Sequence, residues 1–317
     1  MRFVLSKFAI VSGLFLISVA AGTADPAASQ LLSLGRMNEA VSILSSRDDA
    51  ESLNLMSRVY FALERWDDAV KYGERAVALD SENASYHLWL GREYGRKAGA
   101  SNPLAAASLA KKTKTEFERA VQLDPANVPA HVDLAQYYTE APGFMGGGVD
   151  KARAQAAQVE HDNPAMAHLV LARIADKQKR YPDAEREYHL AIQQAKNPAD
   201  LWLQLASYYR SHSRFDEMQN AVHSAMQQPS KPAESYFDAG NELYLGNRDF
   251  IAAVDYLRRY LSSGELVESA PAFRAHYLMG ELQEKMGHND AAASEYSASL
   301  ALASDFAPAK KALGRVQ

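Results

Sequence analysis

Residues 53–80 read LNLMSRVYFALERWDDAVKYGERAVALD. The stretch divides at the short turn ALERWDD (62–68) into two helical runs, each carrying apolar and small side chains at helical spacing. Its first half returns as HLWLGREY (87–94), HVDLAQYY (131–138), HLVLARIA (168–175), WLQLASYY (202–209), YFDAGNELY (236–244) and HYLMGELQ (276–283). Aligned on the small residue that follows the inner apolar one, these segments place Ser57, Gly91, Ala135, Ala172, Ala206, Gly240 and Gly280 in register, at steps of 34, 44, 37, 34, 34 and 40 residues. Three steps coincide and the longer ones fall where insertions or longer linkers are visible, so the chain is an internal repeat. No stretch alternates with a period of two for long, so strands are not expected.

The pattern resembles the tetratricopeptide repeat family, whose unit reads W-x2-L-G-x2-Y, then A-x3-F, then P. The third unit carries Leu90, Gly91, Tyr94, Phe117, Ala120 and Pro125; the sixth carries Trp202, Leu205, Ala206 and Tyr209; the second carries Tyr60, Ala69 and Ala76. The resemblance implies an all-α, right-handed superhelical solenoid of stacked antiparallel helix pairs, about eight repeats with a C-terminal capping helix. Approximate units are 25–49, 50–83, 84–127, 128–164, 165–198, 199–232, 233–272 and 273–304, with a cap at 305–317. Small side chains at the eighth and twentieth positions let the two helices of a hairpin cross closely while larger residues fill either side. LLSLGRMNEAVSIL (31–44) looks like a degenerate first unit, DFAPAKKALGRV (305–316) like a closing helix with Pro308 in its first turn, and Gly287 is suited to a left-handed helix end.

Residues 1–24 begin with Arg2 and Lys7, run through fourteen apolar or small residues from Phe8 to Ala21, and end in small residues. That is the form of a secretory signal peptide, too short to span the roughly 30 Å hydrocarbon core as a permanent anchor. Cleavage is expected after Ala24 or Ala21, giving a periplasmic or secreted protein of the bacterial envelope without a stable membrane anchor. Losing Arg2 and Lys7 takes the formal charge from -5 to -7, which argues against nucleic acid as a partner. Cysteine is absent; disulfides, thiolate metal sites and thiol nucleophiles are excluded with it.

Two insertions interrupt the repeat. RKAGASNPLAAASLAKKTKTEFERAVQLDP (96–125) offers Asn102 as a helix cap and Pro103 as the first helical residue of a long helix to Leu123. TEAPGFMGGGVDKA (139–152) holds four of the chain's seventeen glycines. A phosphate-binding loop needs G-x-x-x-x-G-K-[ST] after a buried strand, whereas Lys151 precedes Ala152 and a helix comes before the loop. Phe144 and Met145 are candidate contact residues if the loop presents them; the plainer expectation is that Phe144 tucks back onto its hairpin. The loop is similar to proline-glycine insertions in exported bacterial proteins of the same family, among them the T component of some periplasmic solute transporters, which are generally lipoproteins. This chain has no cysteine to acylate.

In the family, the first helix of each pair lines a concave groove, chiefly through its second, fifth, ninth and twelfth positions. Carried over residue by residue, this gives Arg58, Leu88, Arg92, Val132, Gln136, Leu169, Arg173, Leu203, Arg210, Phe237, Asn241 and Tyr277 as partner-binding candidates. An apolar row beside arginines suits an extended peptide with apolar side chains and carboxylates, which arginine grips with paired hydrogen bonds. The arginines could equally pair with neighbours such as Glu51 and Asp176. The lysine that carboxylate-binding members place at the fifth position is missing here.

His87, His131, His168 and His276 share the fourth position of their units. Stacked helices lie roughly 8–10 Å apart, too far for equivalent residues to ligate one ion, so no metal is expected. Nor does any nucleophile motif or carboxylate dyad stand at catalytic spacing, and no cofactor is implied. The sequence therefore predicts an exported, non-catalytic interaction scaffold for a peptide or protein partner. The alternative is a soluble carrier or accessory subunit of an envelope transporter, holding a small apolar or anionic ligand.

Overall fold

The computed structural model describes residues 26–317; the expected signal peptide lies outside the described residues. Seventeen α-helices occur among them and no strand. They form successive hairpins: α1 (Pro26–Ser33) with α2 (Met37–Leu44), α3 (Ala50–Ala62) with α4 (Trp66–Leu79), α5 (Ala84–Gly99) with α6 (Pro103–Leu123), and α7 (Val128–Glu140) with α8 (Val149–Val159). Next come α9 (Pro164–Lys177) with α10 (Tyr181–Gln194), α11 (Ala199–Ser211) with α12 (Phe215–Met226), α13 (Glu234–Leu245) with α14 (Phe250–Ser262), and α15 (Ala272–Lys285) with α16 (Asn289–Leu302). α17 (Ala307–Val316) closes the series with a proline in its first turn. None of the described helices is long and apolar enough to cross a membrane.

Local chemistry sets the helix ends. Asn83, Asn127 and Asn163 each cap the first helix of a hairpin by accepting a backbone N–H from its first turn, which satisfies donors that the helix itself cannot. Asn102 caps α6, and Pro103 starts it. Between paired helices one residue turns left-handed: Gly35, Glu64, Lys179, Ser213, Asn247 and Gly287 all have φ between 53° and 80°. Only two of these six are glycine, although the conformation costs other residues about 1 kcal/mol.

The seven aligned small residues are all buried. A side chain on Gly91 would meet the Phe117 ring at 2.5 Å, one on Gly240 would meet Leu257 Cγ at 2.8 Å, and one on Gly280 would strike the Tyr296 ring. In these three hairpins the small residue of the first helix thus receives the large residue of the second. In α3–α4 the large residue is replaced by Gly73, sixteen residues after Ser57 as Tyr296 is sixteen after Gly280. The vacated space is taken by Glu93 of α5, whose Oε2 would collide with any side chain at Gly73, and by Leu90 at 3.2 Å.

Glu93 is 0% exposed. Burial holds its pKa well above the ordinary 4.5, with Ser57 and Arg58 pulling weakly the other way and Glu74 adding to the rise.

The described residues fall into two compact units: Leu44–Ala191, and residues 26–43 together with Ile192–Gln317. The N-terminal hairpin is therefore grouped with the C-terminal repeats, and sequence order alone predicts a different neighbour. Asn38 joins the two ends by donating to Ala301 O at 3.0 Å and accepting from Ser304 N at 2.9 Å. Gly35 sits against the backbone of Pro271 and Ala272, where no side chain would fit, and Leu32 and Met37 are fully buried.

Glu93 gives this packing a pH signature. Its folded-state pKa is raised, so the stability tied to its neutral form is complete below about pH 4.5 and is lost as pH climbs toward the folded-state value. Glu93→Gln should stabilise the protein at about pH 8 by about 1.4 kcal/mol for each unit the pKa is raised, and much less at about pH 4.5. Urea unfolding of both proteins at the two pH values measures this; an equal effect at both would show that the buried carboxyl is not held neutral.

Candidate functional site

The first helices of successive hairpins carry the residues singled out above, and their burial sorts them by position. At the fifth position Leu88, Leu169, Leu203 and Phe237 are buried, while Val132 and Tyr277 are half-buried. The expected open apolar row is thus corrected: these side chains fill the space between neighbouring helices. Phe237 meets the Tyr260 ring edge-on at 5.7 Å, and Tyr277 packs between Tyr296 and Phe306 at 5.9 and 5.4 Å. At the ninth position Arg58, Gln136, Arg173, Ser207 and Asn241 remain half-exposed. The surface these helices offer is therefore a polar row.

In the first unit, Trp89 lies beneath two guanidinium groups, Arg58 at 4.9 Å and Arg92 at 5.1 Å from its ring centroid. Arg92 is itself buried and donates from Nε to Asp133 Oδ2 at 2.6 Å, tying α5 to α7. Burial pushes Tyr188 up to about 12, opposed by Arg173, which hydrogen-bonds it, and reinforced by Asp176. In the second unit, Arg210 donates from Nε to Glu242 Oε2 at 2.7 Å and from Nη2 to Ser207 Oγ at 3.1 Å. Arg92 and Arg210 thus spend their charge on the neighbouring hairpin, and the arginine-to-carboxylate grip expected of them is already used within the fold.

The four register histidines are likewise engaged, each bonding the second helix of its own hairpin. His87 Nδ1 lies 2.6 Å from Glu116 Oε2 and its Nε2 lies 2.9 Å from Ser81 O. His131 pairs with Gln155 at 2.7 Å and Pro125 O at 3.0 Å, His168 with Glu187 at 2.8 Å and His276 with Glu295 at 2.8 Å. Each ring bridges first helix to second. Burial works against charge on His87, but the bonds to Glu116 and Ser81 prevail and raise its pKa. No group of side chains suited to a metal ion occurs among the described residues.

A cluster that the sequence reading missed stands on α11 and α13. Asp200 occupies the second position of α11; Glu234 and Asp238 lie on α13, one helical turn apart on one face. Ser235 Oγ donates to Asp200 Oδ1 at 2.7 Å. Burial together with the charge of Asp200 pushes Glu234 up to about 7, with Ser269 holding it back. Asp238 is raised further, by burial and then by Glu234, Asp200 and Glu242. The signal was present as carboxylates near the start of each helix and at i, i+4 with no basic residue between them. In this arrangement a cation from outside would relieve like-charge repulsion that the chain itself leaves in place.

The loop at 139–152 differs from the plainer expectation. Phe144 is 82% exposed and does not tuck onto its hairpin, because a 3-10 turn, Gly143–Met145, directs it outward. Met145 is half-buried, and its carbonyl accepts from Tyr137 Oη at 2.9 Å.

The tetratricopeptide repeat family model matches residues 54–94 and 146–200. No curated protein matches the chain in sequence. Among solved structures, a thermophilic tetratricopeptide repeat protein from Thermus thermophilus is 22% identical, with 57% of this chain and 94% of that one covered at a TM-score of 0.47. A tetratricopeptide repeat protein from Parabacteroides merdae is 14% identical, with 84% and 98% covered at a TM-score of 0.41.

The carboxylate cluster fixes a second pH dependence. Glu234 ionises in the folded protein only near 7, above its ordinary 4.5, so stability is complete below about pH 4.5 and falls as pH rises through about 7. Thermal melting of the wild type should drop between about pH 5 and about pH 8, and Glu234→Gln should flatten that drop. A variant whose melting falls as steeply as the wild type would remove Glu234 as the cause.

Proposed function

We propose, from the premise that this chain is a tetratricopeptide repeat protein, that it acts as a non-catalytic scaffold holding a peptide or partner protein against the polar faces of its first helices. The observation that carries this reading is the contrast along those helices. Most fifth positions are buried, ninth positions other than that of Arg92 stay half-exposed, and in the second unit, beside burial, the charge of Asp200 raises the pKa of Glu234 and the charges of Glu234 and Asp200 raise that of Asp238. A repeating row of amide, hydroxyl and guanidinium groups can bond an extended backbone or polar side chains at the spacing of the repeat. The carboxylate cluster adds a place for a lysine or arginine of the partner, whose charge would be held more firmly once Glu234 is ionised.

The chemistry supports docking better than catalysis. His87, His131, His168 and His276 are engaged in bridging paired helices, Arg92 and Arg210 in joining neighbouring hairpins. None of these groups is left poised beside another as an acid, base or nucleophile. Docking is reversible, and affinity for a basic partner should strengthen as pH rises from about 6 to about 8. Export remains part of the proposal on the strength of residues 1–24, and N-terminal sequencing of the protein recovered from its own cell would place the mature start at residue 25 or 22.

A photoreactive side chain at Gln136 or Asn241, on the half-exposed rows, should give protein adducts in intact cells, while one at the exposed Arg258 of α14 should not. Asp238→Asn should weaken the adduct at Asn241. The absence of protein adducts at both row positions, or a small molecule retained by the purified protein in native mass spectrometry, would sink the scaffold reading.

A further inference from the structure

α1 and α2 belong to the same compact unit as the C-terminal repeats, and the exposed residues 45–49 are all that separates them in sequence from α3 of the other unit. Each is eight residues long, too short to keep a helical shape by itself. Their order therefore depends on the seat they occupy. Ala28, Leu32, Met37 and Ala40 are at most 1% exposed. Asn38 donates to Ala301 O at 3.0 Å and accepts from Ser304 N at 2.9 Å and Ser304 Oγ at 2.8 Å. The turn between the two helices meets backbone: a carbon added at Gly35 would lie 2.5 Å from Ala272 N and 3.1 Å from the Pro271 carbonyl carbon.

Pro271 ends the loop 263–271 that leads from α14 into α15. Tyr260, 0% exposed, clamps that loop, since its hydroxyl donates to Ala270 O at 2.5 Å and accepts from Val267 N at 2.9 Å. Ala270 N in turn donates to Val267 O at 3.2 Å. Between the clamped residues stands Ser269, whose hydroxyl hydrogen-bonds the carboxyl of Glu234 at the start of α13. The stretch from Val267 to Ala272 is thus gripped by Tyr260, pressed by Gly35 at its end, and joined through Ser269 to the acidic face of α13.

We propose that the N-terminal hairpin is a strap that regulates the carboxylate site of α11 and α13: seated on Pro271 and Ala272 it keeps the loop closed with Ser269 on Glu234, and when it lifts, loop and carboxyl are released together. The regulatory role rests on the docking reading given above; the mechanical link from strap to carboxyl does not. A hydroxyl donor favours the ionised carboxylate, so release removes the bond that offsets burial and the charge of Asp200 at Glu234. The other charges of the cluster are Asp200 on α11 and Asp238 and Glu242 on α13, with Arg210 bonded to Glu242. A seated strap accordingly strengthens the hold on a partner's cation, and a lifted one weakens it.

Hydrogen exchange of the full mature chain, read by mass spectrometry, tests the link without a partner. Met37→Ala, which shortens a buried side chain of the strap, and Gly35→Ala, which adds the carbon that meets Ala272, should each speed exchange in 26–44 and also in 264–270 by roughly tenfold. Peptides from α5 to α8 in the other unit should exchange as in the wild type, which shows that the variants are folded. The Glu234 titration, followed by carbon NMR, should move upward in Met37→Ala as it does in Ser269→Ala. The link is overturned if 26–44 stays protected in both strap variants, if 26–44 loosens while 264–270 does not, or if Glu234 titrates in Met37→Ala as in the wild type. It is equally overturned if Ser269→Ala leaves the Glu234 titration in place. For the regulatory role, Met37→Ala should weaken the adduct formed at Asn241 in intact cells, and an undiminished adduct overturns it. Absence of that adduct in the wild type would instead count against the docking reading, and with it the regulatory role, while the exchange result still decides the link.

Discussion

The close crossing of the two helices in each hairpin is the constraint on which the rest depends. Gly91 beneath Phe117, Gly240 beneath Leu257 and Gly280 beneath Tyr296 leave no room for a single added carbon. Because large meets small at the same height each time, the first helix is fixed in rotation as well as in distance. That rotation buries most fifth positions and leaves the ninth positions other than that of Arg92 half-exposed. The identity of the exposed row is therefore a consequence of the packing beneath it, and a change in the small residue would re-aim the surface before altering its chemistry.

Where the large residue is missing, a buried acid completes the packing. Gly73 leaves a space, Glu93 enters it from the next hairpin, and α4 and α5 become dependent on a carboxyl that must stay protonated. Burial and like charge act in the same direction on Glu234 and Asp238, burial alone raises Asp200, and His87 favours its charged form through Glu116. For acids held neutral and a histidine held charged the sign of the linkage is the same: each proton is bound more tightly by the folded chain, so folding is favoured as pH falls. Both units share this bias although their chemistry differs.

The repeat, the bounds of the long helix at 103–123, its asparagine cap and the proline-started closing helix could all be read from the sequence, because each depends on residues within a turn or two of one another. The turns were less legible. Glu64, Lys179 and Ser213 adopt the left-handed conformation that Gly287 announces openly, since stacking of the hairpin imposes it. The groove candidates divided for a related reason. Position within the unit located them on the right helix, but whether Leu169 faces an opening or a neighbour, and whether Arg92 meets a ligand or Asp133, depends on the next hairpin. The grouping of α1 and α2 with the C-terminal repeats rests on Asn38 and Ser304, 266 residues apart, a pairing to which no local period points.

Internal satisfaction also separates what holds this protein together from what it offers to others. Arginine at the ninth position of one hairpin and at the twelfth of another has the same chemistry as a ligand-binding arginine, yet Asp133 and Glu242 consume it, and removing either acid would leave a guanidinium in a largely buried setting at a cost well above that of a surface pair. Phe144 is the reverse case. The residues from Pro142 to Gly147 are bonded into a turn whose geometric result is to keep an aromatic ring out of the core. The backbone is ordered, and no apolar burial of that ring within the chain repays the entropy of ordering it. Side chains that the fold completes and side chains that the fold exposes at its own expense can thus be told apart by following each polar bond and each buried surface to its end, and by that measure Phe144 and the carboxylates of α11 and α13 are the parts of this molecule left unfinished.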